Sequence, residues 1–242
     1  MREICEITKY QYRKYMLSAK WLIPLLVLAG VLAMLYSMVP VQIVNSFSIS
    51  GLFLFGIMVW VGKTLEGVEP EVSEQVMILR LKSHRKYYLY QILFVLCIGM
   101  GITVIALLFP YIKNLRLGGK IFTRPIIWSD LLGGGLLMLA CSFVGGMVGG
   151  LFHNRIIHNT RLNLVLTSII ALLSLCRNGI VITLPFTKFI LWIVPPVSDV
   201  VSWFSNENYF DIGNMMKGFL LLMLYGVILA GIKVELLRKR KF

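Results

Sequence analysis

Three histidines, four cysteines and eleven acids bound the chemistry open to this 242-residue chain. His153 and His158 stand five residues apart, a spacing that does not stack two imidazoles on one helix face as paired metal ligands require. His84 lies alone among bases. Cys5, Cys97, Cys141 and Cys176 are widely spaced single residues, which supports neither a CxxC metal site nor a secreted disulfide framework. Three of them fall in apolar runs, where a thiol behaves as a small hydrophobe. The GGK ending at Lys120 lacks the rest of a phosphate loop, because Asn114 occupies the first glycine position and Ile121 the position of the metal-binding hydroxyl. No HExxH, no serine-nucleophile motif and no paired carboxylates within an apolar run are present, so a hydrolase would lack nucleophile and base. The expectation is a chain that is not an enzyme, with no catalytic, cofactor-binding or metal-ligating residues of its own.

The elements that would hold any site are membrane helices. Hydrophobic residues make up 58% of the chain and charged ones only 14%, well below the roughly one quarter usual in soluble domains. A span needs about 20 mainly apolar residues, and six stretches qualify: Trp21–Val39, Phe47–Thr64, Leu89–Ile112, Leu131–Phe152, Leu162–Leu184 and Met215–Val234. Pro24 suits the first turn of the first span and Pro40 ends it, while Ser129 and Asp130 can cap the fourth. The charged stretch before the first span, with Glu3 and Glu6 and no A-x-A site after it, does not read as a cleavable signal. A net charge of +13 fits an anionic membrane surface rather than nucleic acid, for which the apolar runs leave no separate domain.

Orientation follows from the bases, since positive loops resist translocation. With both termini in the cytoplasm of a multi-pass cell-membrane protein, 17 of the 24 Lys and Arg lie inside. Treating FTKFILWIVPPVSDVVSWF, Phe186 to Phe204, as a seventh span would nearly erase that bias and would put Pro195 and Pro196 mid-helix. The stretch 185–213 is therefore expected to be an outer re-entrant or interfacial hairpin, where protein can cover broken backbone.

Four features stand out. Over residues 1–20, Arg2, Lys9, Arg13 and Lys20 share one helical face, with Ile4, Ile7 and Tyr15 opposite, as in a helix lying on the membrane surface. Either an elbow that positions the first span or a plain positive-inside anchor fits this pattern. Gly145 and Gly149, and Gly146 and Gly150, form two interleaved GxxxG pairs, a packing seam within the subunit or across a dimer. Lys113, Arg116, Lys120 and Arg124 lie outside against the bias, and are read as snorkelling to headgroups or as contacts for an anion. Arg177 reads as snorkelling at the outer end of the fifth span with Gly179 closing a turn; as a charge within the membrane it is also a candidate pathway or interface residue.

Between the second and third spans runs EGVEPEVSEQVMILRLKSHRKYYLYQ, Glu66 to Gln91. Its early acids favour a helix N-terminus after Pro70, and Val72, Val76 and Leu79 form an apolar ridge at helical spacing. Here Glu74 is followed by an apolar stretch and then by Ser83, Arg85, Tyr87 and Tyr88. This order resembles the Glu, helical stretch and Pro-x-Ser-Arg-x-x-Tyr of permease subunits of type-2 ABC exporters, although Gln75 and Val76 replace the glycine after the Glu and the proline is missing. The whole layout of basic surface helix, two spans, charged segment, three spans, outer hairpin and last span resembles that family too. The resemblance implies an all-α membrane protein of six transmembrane helices: an N-terminal amphipathic elbow helix over 1–20, a transmembrane domain over 21–242, and an outer re-entrant hairpin at 185–213 before the last span. It also implies a coupling segment at 66–88 in which Glu69, Glu71, Val72, Glu74, Val76, Leu79, Arg80 and Arg85 engage a separate ABC ATPase. ATP and Mg would be bound by that ATPase, and none by this chain. A second permease, identical or related, would complete the pathway, in contact with membrane lipids and no nucleic acid. The small size resembles bacterial exporters of antimicrobial or amphipathic peptides; a non-transport immunity or scaffold protein using the same cytoplasmic segment is the alternative.

Overall fold

Prolines and short polar links divide the chain into helices, and the computed structural model describes residues 2–68, 70–153, 155–157, 159–205 and 207–239. In chain order the helices are α1 (Arg2–Leu17), α2 (Leu22–Leu35), α3 (Ile43–Glu66), α4 (Glu71–Leu81), α5 (His84–Arg116), α6 (Trp128–Gly149) and α7 (Thr160–Thr183). After a 3-10 turn at Pro185–Thr187 come α8 (Lys188–Leu191), α9 (Val197–Ser202) and α10 (Ile212–Lys239). Among the described residues no strand forms, and one isolated bridge pairs Val41 with Phe122.

Helices α3, α5, α6, α7 and α10 are each long and apolar enough to cross a membrane, and α1 with α2, bent by 78°, would supply a sixth span if counted together. The chain is thus a helical, multi-pass membrane protein. The first apolar stretch is the one that departs from expectation. It is helical only over the 14 residues of α2, about 21 Å at 1.5 Å per residue, against a hydrocarbon core of about 30 Å. The helix stops because Tyr36 is buried beside Phe109 and Phe122, and Lys113 Nζ donates to its carbonyl at 2.6 Å.

The core sits between α3 and α6, both largely buried, with α5, α7 and α10 around them exposing most of their apolar surface. Glycines set the spacing. A Cβ on Gly145 or Gly149 would overlap the backbone of Phe55 or Val59 on α3, and one on Gly62 would overlap the carbonyl of Gly146. The GxxxG seam therefore lies within the subunit for these residues, where small side chains let two backbones touch. Gly150 serves differently: its missing side chain leaves room for the Lys233 ammonium, which would stand 2.6 Å from a Cβ there.

The stretch around Pro195 and Pro196 is no continuous helix. Val197, Val200 and Phe204 are buried in the main core, whereas Phe186, Phe189, Trp192 and Ile193 are exposed. At the start of α6 the N-terminus is closed by Asp130, whose carboxylate accepts the Ile127 N–H at 3.1 Å and pairs with Arg124 at 2.6 Å. Arg124 also donates to the Asn208 carbonyl and lies over the Tyr209 ring, so it ties two connections together instead of reaching outward.

Candidate functional site

Helix α4 starts after Pro70, whose extended backbone and fixed φ suit an entry to a helix. It ends at Lys82, in the left-handed region at φ 53, and Ser83 caps α5 by accepting from the Lys86 N–H. The eleven residues so delimited carry two apolar faces. Ile78 is buried against Tyr87, Tyr88 and Leu237 with Met77 and Leu81 beside it. On the other side Val72, Val76 and Leu79 are 71%, 58% and 76% exposed. Arg80 and Arg85 are exposed as well. Glu71 opens the helix, and Glu69 lies outside the described residues.

Glu74 turns inward. The residue is 4% exposed, and its carboxylate pairs with Arg155 Nη2 at 2.7 Å. The Tyr88 hydroxyl donates to Glu74 Oε1 at 3.1 Å and accepts from Arg155 Nη1 at 3.0 Å. One acid from α4, one phenol from α5 and one base from the α6–α7 connection thus close a triangle of charge-assisted bonds, which are stronger and more directional than neutral ones. The exposed ridge is held by a buried clamp on the opposite face of the same short helix.

A second set of charges lies beside the first. Lys63 Nζ donates to Glu66 Oε2 at 2.8 Å, to the Phe152 carbonyl at 2.9 Å and to Asn163 Oδ1 at 2.7 Å. All three ammonium protons are used, joining the end of α3 to the α6–α7 connection and to α7. Lys233 of α10 is 3% exposed and is attracted by Glu66 and Glu74. Three bases and two acids therefore meet at this end of the bundle, and the excess positive charge falls on His153. Burial, followed by Lys233, Arg155 and Lys63, lowers its pKa from 6.5 to about 3. The Arg155 N–H donates to His153 Nδ1 at 3.2 Å, as a neutral imidazole allows.

At the opposite end Arg177 does not snorkel. It is 6% exposed, donates to the Val194 carbonyl at 3.0 Å and lies 3.3 Å from Asp199. The Asn178 N–H donates to Ser198 Oγ at 3.1 Å, and α7 continues past Gly179 to Thr183. The arginine fastens the segment around Pro195 to α7, because a buried guanidinium must find acceptors.

Sequence patterning located the ridge but not the clamp. Lys63, Tyr88, His153, Arg155, Asn163 and Lys233 come from separate stretches, and spacing within one element does not reveal them. The available signals were Lys63 and Lys233, bases just inside the ends of two apolar stretches, a pattern that positive-inside topology also produces. Among the described residues no three His, Cys, Asp or Glu side chains gather as a metal site requires. Compared with protein-family models, curated proteins and solved structures, the chain matches none.

Proposed function

We propose that this chain is the transmembrane permease subunit of an ATP-driven type-2 ABC exporter, with α4 as the cytoplasmic helix that docks on a separate ATPase. The observation that carries the reading is the exposed ridge of Val72, Val76 and Leu79 on a helix whose other face is clamped into the bundle. Apolar side chains at helical spacing are what a helix offers to a partner's groove, and a clamped helix can pass on a displacement that a free loop would absorb. Pushed by a closing ATPase, α4 would act through Glu74 on Arg155 and Tyr88, and so on the α6–α7 connection and α5.

In this reading α1 is the elbow helix, bent by 78° from α2. The segment around Pro195 is the outer re-entrant hairpin, held by Arg177, and both termini are cytoplasmic. The partners are an ABC ATPase that binds ATP and Mg, a second permease and the surrounding lipids. Antimicrobial or amphipathic peptides are the proposed cargo. Nucleotide binding must bias two packings of the spans by a few kcal/mol to shift their populations usefully.

The test is co-purification from native membranes in mild detergent, with the bound proteins searched for an ATPase that carries a phosphate loop. Leu79→Asp and Val76→Asp sit on exposed positions and should change stability by no more than about 0.5 kcal/mol, yet they should release the ATPase. Retention of another cytoplasmic protein through the same ridge, with no ATPase bound, would favour the immunity or scaffold reading. Unchanged ATPase binding in both variants would refute docking through this ridge.

A further inference from the structure

Away from the charge cluster, a groove of about 820 Å³ opens between α1, α2 and α5. Along α5 it follows Phe94, Ile98, Gly101, Ile102 and Ile105, a single helical stripe about 16 Å long at 1.5 Å per residue. One leaflet of a bilayer offers hydrocarbon to a depth of about 15 Å, half of its total core. Pro24 and Leu25 of α2 and Thr8, Lys9 and Tyr12 of α1 complete the lining, and Tyr15 of α1 packs edge-on against Phe94, so α1 meets the stripe at its Phe94 end.

The lining is polarised. Its one formal charge, Lys9, and the exposed hydroxyl-bearing Tyr12 lie on α1. Toward Leu25, Ile102 and Ile105 only hydrocarbon remains. A ligand that satisfies both ends has an anionic, hydrogen-bond-accepting head and a long apolar tail. A second copy of this chain seated in the groove would bury Lys9, and no lining residue is acidic, so the partner would have to bring a matching carboxylate. A phosphodiester brings that charge already attached to acyl chains.

We propose that this groove is a binding site for one anionic phospholipid of the surrounding bilayer, an acyl chain lying along the α5 stripe and the phosphate meeting Lys9 and Tyr12. The site stands apart from the docking ridge and does not depend on the exporter reading. Its occupant would brace α1 against α2 and α5, filling space that protein atoms leave open: a Cβ on Gly101 meets nothing within 4 Å.

Trp21 lines the groove and reports on its contents. The full chain with Trp60, Trp128, Trp192 and Trp203 changed to Phe is reconstituted in phosphatidylcholine vesicles containing either phosphatidylglycerol or phosphatidylcholine with brominated acyl chains at equal mole fraction. Bromine quenching of Trp21 should favour the anionic lipid about fivefold, the effect of one base at a headgroup. Lys9→Glu should bring the ratio to about one or below. Gly101→Leu, which grows into open space, should reduce quenching by both lipids, and Lys9→Glu provides the parallel reading on an exposed side chain. A variant that keeps Trp60 alone, exposed but outside the lining, should show little preference. Equal quenching of Trp21 by the two lipids, no quenching by either, or indifference to both Lys9→Glu and Gly101→Leu would overturn the proposal.

Discussion

Acidification should weaken this fold through His153 in particular. The imidazole is buried among Lys63, Arg155 and Lys233, and its pKa falls from 6.5 to about 3, while its Nδ1 accepts the Arg155 N–H. Protonation would cost that hydrogen bond and add a fourth positive charge to the cluster. Between the two values the unfolded chain binds a proton that the folded chain excludes. Stability is therefore complete above pH 6.5 and is lost as pH falls, by about 1.4 kcal/mol per unit, down to about pH 3. At pH 5 the loss from this side chain is about 2 kcal/mol. Denaturant unfolding in detergent micelles, measured from pH 7 to pH 4.5 for the natural chain and for His153→Gln, isolates the effect, since carboxylate contributions occur in both. The variant should lack that share of the slope, and the labelled His153 resonance should show no titration above pH 4. A resonance titrating near 6.5, or identical slopes in the two proteins, would refute the reasoning.

Two further substitutions probe the packing. Glu74→Ala takes the carboxylate away from the buried Arg155 guanidinium and should cost about 3–5 kcal/mol, whereas Glu74→Leu combined with Arg155→Met should recover most of it, because replacing both partners removes the buried charge along with its counter-ion. Thermal unfolding of the singles and the double reads this directly; an unrecovered double would mean that the pair is not what anchors α4. Gly149→Ala drives a methyl into the Val59 backbone and should cost about 1–3 kcal/mol. Gly179→Ala, whose Cβ would meet open space, should instead stabilise α7 by about 0.5–1 kcal/mol.

Membrane helices were legible because hydropathy reports the solvent a segment must live in, regardless of its neighbours. Each of the last five apolar stretches lies within or nearly within a helix, and Val72, Val76 and Leu79 share a face because 3.6 residues make a turn. The first stretch misled because what stops α2 is tertiary: the buried Tyr36 ring and the Lys113 ammonium come from contacts with α5 and Phe122. For the same reason Lys113, Arg124 and Arg177 looked like headgroup anchors. A base near an apolar boundary has the same local pattern whether it meets phosphate or a carbonyl from a distant loop. The clamp was hidden most completely, since Glu74 and Arg155 are 81 positions apart.

The contact between α3 and α6 limits how this molecule can change shape. Where Gly145 and Gly149 meet the backbones of Phe55 and Val59, no side chains lie between the helices to swing aside or repack. The two helices must translate and tilt together, as a single beam. Lys63 and Glu66 sit at one end of that beam, and near the other Phe47 fills the space beside Gly134. A push delivered at the charged end would not be taken up along the way, and the opposite end would swing with it.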